Sequence, residues 1–417
     1  MITINIQTVR GDNMNSLSKL RQMALNNGFV STGVISPDEY KEGKSRQEQA
    51  QARGHLMPFI NKSQNLATRV NPSKYANWVK TVILVLYPYG GSNGNHPPKP
   101  DDGVLRGRFS KISWGRDYHL VVKKALQDLA SDLVNEDIIS ETYETFIDTS
   151  PFAERELAFR AGLGYPGRHG CLINPTYGSF VVIGGILTDT MLPTNEQPVD
   201  EIFSTCKSCD ECITVCPGKA LEDSNHESKI QLENCAAYLT VVKGIIPRKK
   251  RPIIKDYLYG CDECQNVCPE NSSNNFGSTN NDCVKTFSLP KWDEQHLTIE
   301  DLYPQITKIL NLSNQTFRKK YKDNAVFWRG KQVLKRNAVI ALGNLKDPKG
   351  LPLILETLAN PSPIIRAHVP WSLEQISTQL PIHKKSWIYH KLEQQYLKES
   401  DPLVIDELKS SLLNLSK

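Results

Sequence analysis

The chain has 417 residues, 39% hydrophobic and 23% charged, an ordinary globular composition that excludes a disordered chain and suits two or three domains. Fifty Lys and Arg against 45 Asp and Glu leave a net +5, too even a balance to name a partner. Ten cysteines are too dilute for a disulfide scaffold, and reduced thiols gathered in clusters usually hold metal.

The N-terminal stretch MITINIQTVRGDNMNSLSK shows neither an apolar signal core nor a twin arginine, and the longest apolar runs, Val82 to Leu86 and Phe180 to Leu187, are strand-sized. A cytoplasmic protein is expected. Residues 1–13 read as a loosely specified extension, and the first helix is expected from Ser16 to Asn26, closed by Gly28. Thr81 to Leu86 predicts a buried strand, and Gly90 to Gly103, dense in Gly, Pro and Asn, a long surface loop. After Asp117, Leu120, Val121, Ala125, Leu129, Leu133 and Val134 recur at helical spacing. Glu144 to Ile147 reads as a strand, Ser150 and Pro151 as N-cap and first residue of a helix ending near Gly162, and Ser179 to Leu187 as another strand. Strands alternating with helices predict an α/β or α+β domain over 14–200.

A cysteine-rich segment and the polar linker Asn271 to Asp282 occupy 201–282. Residues 283–417 become helical, and Arg336-Asn-Ala-Val-Ile-Ala-Leu matches Arg366-Ala-His-Val-Pro-Trp-Ser at an offset of 30 residues. That period predicts a pair of HEAT-like repeats packed on the rest of the protein. The fold class expected is therefore α+β: an N-terminal α/β domain, a ferredoxin-like domain and C-terminal helical repeats.

Cys206, Cys209, Cys212 and Cys216 before Pro217 spell C-x2-C-x2-C-x3-C-P, and Cys261, Cys264 and Cys268 before Pro269 repeat its latter part. A zinc site needs four ligands in two pairs. Closely spaced thiols with a trailing proline, used twice, fit two [4Fe–4S] clusters better, with the fourth cysteine of each run reaching the other cluster. Two clusters need eight ligands and the runs supply seven, because Leu258 stands where the second run would begin. Of Cys171, Cys235 and Cys283, the one between the runs is Cys235. Crosswise ligation then gives Cys206, Cys209, Cys212 and Cys268 for one cluster, and Cys216, Cys235, Cys261 and Cys264 for the other. Cys171 and Cys283 are left as ordinary thiols.

Further strings occur in order: Arg69-Val-Asn-Pro72, Ser113-Trp-Gly-Arg-Asp-Tyr-His119, Asp148-Thr149, Glu154-Arg155, Arg160-Ala-Gly-Leu-Gly164, Cys235-Ala-Ala-Tyr-Leu-Thr-Val-Val-Lys-Gly244, Tyr259-Gly-Cys-Asp262 and Trp328-Arg-Gly330. Together with the paired cluster runs, this series resembles the epoxyqueuosine reductases, which complete queuosine synthesis in tRNA. The resemblance spans nearly the whole chain. It implies a base-off cob(II)alamin between the N-terminal and cluster domains, two [4Fe–4S] clusters, and a tRNA whose anticodon base enters the site. The reaction implied is two-electron removal of the epoxide oxygen, fed by an external donor such as ferredoxin or flavodoxin, in a monomer.

By matching positions, the resemblance makes Asp148 the proton donor, where residues alone also read as an aspartate favoured ahead of a helix N-terminus. It implies a cobalamin pocket from Arg69, Asp148, His169, Leu172, Ile183, Thr240, Gly244, Cys261 and Asp262. Arg69 serves equally in a surface ion pair, and Leu172 and Ile183 equally in the core. Two departures stand out. Ser110 replaces a cysteine found in some relatives, so no thiolate is available to cobalt there. In Gly164-Tyr-Pro-Gly-Arg-His-Gly170, Arg168 keeps a positive charge, but His169 replaces an amide.

From Thr316 to Arg336 the residues Arg318, Lys319, Lys320, Lys322, Arg329, Lys331, Lys335 and Arg336 face only Asp323, a net +7. Arg248, Lys249, Lys250 and Arg251 form a second run. Such stretches suit a phosphate backbone, with Tyr321 and Trp328 placed to stack on unpaired bases. Arg318, Lys319, Lys320, Arg336 and, by family match, Lys243 are the tRNA-contact candidates. The competing readings are a reductive dehalogenase, which usually carries a twin-arginine leader and lacks the repeats, and a non-catalytic electron carrier on an interaction scaffold.

Overall fold

The computed structural model describes residues 6–52, 66–89, 98–196, 206, 208–221, 230–271 and 297–416. The polar linker beyond residue 271, Cys283, the first eight residues of the 90–103 loop, and the expected boundaries near 200 and 282 lie outside the described residues.

Helix α1 (Ile6–Asn26) begins ten residues before the expected start, taking in much of the supposed extension. It is followed by β1 (Ser31–Ile35), α2 (Lys41–Ala52), α3 (Leu66–Arg69) and β2 (Thr81–Pro88). Next come β3 (Arg108–Phe109), α4 (Tyr118–Asn135), β4 (Tyr143–Ile147) and α5 (Glu154–Arg160). A small hairpin of β5 (Tyr165–Pro166) and β6 (Leu172–Ile173) precedes β7 (Val181–Thr188).

The four longer strands form one sheet in the order β1-β2-β7-β4, every pair antiparallel. The parallel α/β alternative for the N-terminal part is thereby set aside. Every residue of β2 is buried, because helices cover both faces of the sheet centre. On one face α4 lays Val122, Leu126, Leu129, Ala130 and Leu133 against the strands. A Cβ at Gly185 of β7 would sit 2.3 Å from the Phe146 ring, so only glycine lets β4 pack this closely there. Helix α5 starts at Glu154 instead of Pro151: its N-cap is Ala153, whose N–H is held by Arg69 O at 2.7 Å. The Ser150 hydroxyl instead donates to Glu154 Oε1 at 2.6 Å.

The cysteine-rich part carries α6 (Glu211–Val215), α7 (Ala236–Val241), β8 (Tyr257–Tyr259) and α8 (Glu263–Asn266). Strand β8 pairs in parallel with β3, tying this part to the N-terminal chain. The C-terminal region is helical throughout: α9 (Ile299–Leu302), α10 (Ile306–Leu310), α11 (Asn314–Tyr321), α12 (Lys331–Leu345), α13 (Leu351–Thr357), α14 (Pro363–Arg366), α15 (Val369–Ser377), α16 (Ile382–Tyr396) and α17 (Pro402–Leu415). The two repeat-like strings fall in α12 and at the α14–α15 junction, and α12 packs against α15. One buried apolar cluster runs from Phe109 and Leu258 through Ile306, Ala338 and Leu373 to Leu408. The helices thus share a core with β3 and β8. No helix among the described residues is long and apolar enough to cross a membrane.

Candidate active site and cluster centre

Nine cysteines are described, all free. Cys206, Cys209, Cys212 and Cys268 line one cavity, together with His169, Ile173 and Pro269. Residues 261–268 therefore fold back on the first run, as α6 packs on α8. The cavity lies against the apolar cluster of Tyr40, Val70, Phe159, Tyr165 and Ile173, which Cys206 and Cys268 touch. Among the described residues no three His, Cys, Asp or Glu side chains converge closely enough for a single metal ion. Four thiols spread around one cavity suit a larger group.

The remaining cysteines form a second neighbourhood. Cys235 lies within electrostatic reach of Cys216, Cys261 and Cys264. Cys171 joins them, facing Cys235, Cys264 and Asp262, so it is no isolated thiol. Burial pushes Cys212 up to about 11 and Cys268 up to about 12, and raises Cys235, Cys261 and Cys264 as well. Such thiols ionise only when a cation compensates them. Amide donors are already aimed at sulfur: Arg168 N–H donates to Cys206 Sγ at 3.4 Å and Ala220 N–H to Cys216 Sγ at 3.2 Å. The Arg168 guanidinium donates to Cys209 O at 2.6 Å.

Asp148 is the first residue beyond β4, at the sheet edge. Its φ of 48° places a non-glycine residue in the left-handed region, a strained turn of the kind found at functional sites. The turn meets the N-terminus of α4. Tyr118 O–H donates to Asp148 Oδ2 at 2.6 Å, and His119 Nε2 lies 3.2 Å from the same oxygen. Asp117 caps α4 by accepting from His119 N–H at 3.0 Å, and its Oδ1 lies 2.9 Å from His119 Nδ1. Burial works to raise the Asp148 carboxyl, but His119 and Tyr118 outweigh it and hold it below its ordinary value. Burial likewise opposes charge on His119, yet Asp117 and Asp148 push it up to about 9. Glu154, partly buried beside Asp148, is pushed up by desolvation to about 8.

The other matched positions fall into two sets. Arg69 is buried, donates from Nε to Gln47 Oε1 at 3.2 Å, and shares the electrostatic environment of Arg155 and Glu154. His169 is buried and held near 4 by burial and then Arg155. Its Nδ1 accepts from Cys171 N–H at 3.1 Å, while Nε2 has no partner among the described residues. Leu172 and Ile183 belong to the apolar core. Across the junction, the Thr240 hydroxyl accepts from Gly260 N–H at 2.8 Å and donates to Ala237 O at 2.9 Å, so the backbone uses it. Asp262 accepts from Lys111 N–H at 2.7 Å. Gly244, at φ 90°, has nothing within 4 Å of where a Cβ would stand.

The charge-run expectations divide. Arg318, Lys319 and Lys320 are exposed on α11, whose Phe317 and Tyr321 point inward, and Lys243 is exposed. Arg336 is fully buried, its guanidinium donating to Val242 O, Gly244 O and Leu239 O at 2.6, 2.9 and 3.0 Å. It fastens the chain around 239–244 and is withdrawn from the phosphate-contact set. Arg251 is also fully buried, paired with Glu407, and Arg248 is paired with Glu374 and Glu407. Tyr321 is 3% exposed and belongs to the core; Trp328 is 55% exposed, with the Arg329 guanidinium 3.5 Å over its ring. Trp328 Nε1 donates to Tyr259 O–H at 2.6 Å, and Tyr259 reaches Tyr118 electrostatically.

Sequence reasoning passed over Tyr118, His119, Arg155 and Asn324. The first three lie inside quoted strings but had no role. Asn324 carries no local signal, yet its Nδ2 bonds Ser113 O and Gly115 O, both at 2.7 Å, holding the helical region against the α4 entry.

A mixed helix-and-sheet scaffold carrying a paired four-iron cluster module is the framework of an iron–sulfur oxidoreductase. The profile described as epoxyqueuosine reductase QueG, DUF1730, matches residues 69–149, and a 4Fe-4S double cluster binding domain matches 205–271. An epoxyqueuosine reductase of Bacillus anthracis is 30% identical over 386 residues, covering 92% of this chain and 93% of that protein. One of Lactococcus garvieae is 32% identical over 83% of this chain and 92% of its own length. A crystal structure of epoxyqueuosine reductase with a tRNA-Tyr epoxyqueuosine-modified stem loop superposes with a TM-score of 0.81 at 27% identity, over 97% of this chain and 100% of that one. The chain belongs to the epoxyqueuosine reductase family.

Proposed function

We propose that this protein reduces epoxyqueuosine to queuosine in the anticodon loop of tRNA, the last step of queuosine biosynthesis. The observation that carries the reading is the meeting of an acidic turn, Asp148 bonded by Tyr118 with His119 Nε2 3.2 Å away, with a paired cysteine module, in a chain of this family. Epoxide removal needs two electrons and two protons, breaks both C–O bonds, forms the C=C bond and releases water. Two [4Fe–4S] clusters, when bound, would supply the path for electrons from a low-potential donor, ferredoxin or flavodoxin. We assign Cys206, Cys209, Cys212 and Cys268 to one cluster and Cys216, Cys235, Cys261 and Cys264 to the other. Burial against Tyr165 and Ile173 would tune the first, and an N–H bond to one sulfur of each set would tune both.

The junction also suits cobalamin. Ser110 Oγ and His169 Nε2 are buried polar atoms without partners among the described residues, and Gly244 leaves open space for a bulky group. Arg69, His169, Gly244 and Asp262 would hold it, with Asp148 on the substrate side. When bound, it supplies a low-valent cobalt centre able to deliver electrons to the epoxide carbon. With Ser110 in place of cysteine, no thiolate is available to that cobalt at this position. The chain's own residues orient the base and exclude water, and Asp148 is placed to pass a proton to the departing oxygen.

Arg318, Lys319, Lys320 and Lys243 would meet the tRNA backbone, and Trp328 would stack on an unpaired base at the mouth. The helices α12 to α17 are read as HEAT-like pairs and the protein as a monomer working in the cytoplasm. The deciding experiment incubates anaerobically reconstituted protein, cobalamin and a low-potential reductant with tRNA containing epoxyqueuosine. Nucleoside mass spectrometry should show queuosine, lost when cobalamin is left out. No conversion by fully loaded protein would leave an electron carrier in its place.

A further inference from the structure

Helix α12 grips the cluster module with two neighbouring side chains, Arg336 and Asn337, both fully buried. Every N–H of the Arg336 guanidinium has an acceptor. Nη1 donates to Val242 O at 2.6 Å and Gly244 O at 2.9 Å, and Nη2 to Leu239 O at 3.0 Å. Nη2 and Nε both donate to Asn337 Oδ1, at 2.8 and 3.1 Å. The Asn337 amide then donates to Thr240 O at 2.7 Å and Leu258 O at 2.8 Å. With its oxygen accepting and its nitrogen donating twice, that amide has a single orientation. No N–H of either side chain is left for a carboxylate or a phosphate, so the pair acts on backbone alone.

The backbone it holds leads to two cysteines. Leu239 and Thr240 present carbonyls at the C-terminal end of α7, where the helical ladder leaves them without donors and a cation is favoured. The N-cap at the other end of this six-residue helix is Cys235. Leu258 lies in β8, on the stretch that runs directly into Cys261. One amide therefore bridges the stretches that carry Cys235 and Cys261. Residues 242–247 have no regular structure, and their buried polar groups need side-chain partners. Arg336 meets the carbonyls of Val242 and Gly244, and from the second repeat-like string His368 accepts from Ile246 N–H at 3.1 Å.

We infer that Arg336 and Asn337 are positioning residues of the redox centre, holding Cys235 and Cys261 at the separation one cluster needs. This rests on the ligand assignment proposed above, Cys216, Cys235, Cys261 and Cys264 for one cluster. It gives the helical region a part in electron transfer besides any contact with RNA. Groups that orient metal ligands from behind are worth tenfold or more in retention of the metal.

The test follows iron release to a chelator from full-length protein reconstituted with iron and sulfide. Asn337→Asp keeps an oxygen against Arg336 but sets a second oxygen against Thr240 O and Leu258 O. It should speed release from one of the two clusters at least tenfold and leave the other within twofold. In EPR of the reduced protein, the altered signal should be the one that Cys235→Ser removes. Arg336→Lys, which keeps the charge and loses the five-donor fork, should act in the same direction, so either variant that folds decides. Asn344→Asp is the control. Its Nδ2 bridges Arg251 O at 2.9 Å and Lys255 O at 2.7 Å in the same way, on a stretch without a cysteine. It should lower the thermal midpoint and leave both clusters within twofold of wild type. Equal acceleration of both clusters, or wild-type release in Asn337→Asp and Arg336→Lys, would overturn the positioning. If Cys235→Ser keeps both clusters, the ligand assignment itself fails and the positioning falls with it.

Discussion

At the scale of single residues, the site depends on atoms that composition cannot rank. Asp148 was legible as a motif position, but its left-handed turn and its bonds from α4 were not, because β4 and α4 meet only when the sheet forms. Replacing Asp148 with Asn should cut turnover at least a hundredfold, the usual worth of a positioned acid. Cluster absorption should stay unchanged in the same protein; near-normal turnover would remove Asp148 from the mechanism. Gly260 is a second case. It sits at φ 68°, and a Cβ there would stand 1.9 Å from Ser110 Oγ. Gly260→Ala should therefore destabilise the protein by about 2–4 kcal/mol, seen as a lower thermal midpoint. A midpoint equal to wild type would mean that β8 can move away from Ser110.

At the scale of elements, periodicity found the buried face of α4, and the apolar runs found β2, β4 and β7. The α5 start was misplaced because Arg69 O, distant in sequence, claims the Ala153 N–H. The run Arg248 to Arg251 looked like a solvated basic patch, yet it anchors the cluster module to α15 and α17 through Glu374 and Glu407. Removing Glu407 would leave the buried Arg251 guanidinium without its paired carboxylate. Glu407→Ala should cost roughly 3–5 kcal/mol in denaturant unfolding; a loss below about 1 kcal/mol would mean that water reaches Arg251. His368 makes the same connection with a pH dependence. It accepts from Ile246 N–H at Nε2 (3.1 Å), so it must be neutral and donate from Nδ1 to Ile364 O (2.7 Å). Burial, then Arg251, lowers its folded value well below the ordinary 6.5. Its stabilising contribution is thus complete above pH 6.5 and is lost as pH falls toward the lower folded value, since the unfolded chain takes the proton first. His368→Gln should flatten stability against pH below 6.5.

For the whole molecule, a net +5 describes neither face. Internal ion pairs consume Arg248 and Arg251 and buried carbonyls hold Arg336, while Arg318, Lys319 and Lys320 stay outside. Changing those three to Ala should weaken stem-loop binding and reduce the slope of log affinity against log salt by about 2–3, with folding unaffected. An unchanged slope would move the RNA to another surface. The crosswise cluster ligation proposed above would also be a whole-fold property. Cys268→Ser should empty the cluster of the first cysteine run, halving bound iron, while the other cluster's EPR signal persists.

The sequence by itself determined the chemistry on offer, because cluster ligands must be cysteines at spacings the chain can wrap, and ordered motifs carry the family. It also determined the elements whose apolar periods are long enough to read. Only the tertiary structure decided which thiols share a cavity, which arginines are surface and which are struts, and that His119 stands between two carboxylates. Each of these depends on contacts between residues far apart in the chain, whose desolvation and pairing exist only after the sheet, the cluster module and the helices have closed on one another.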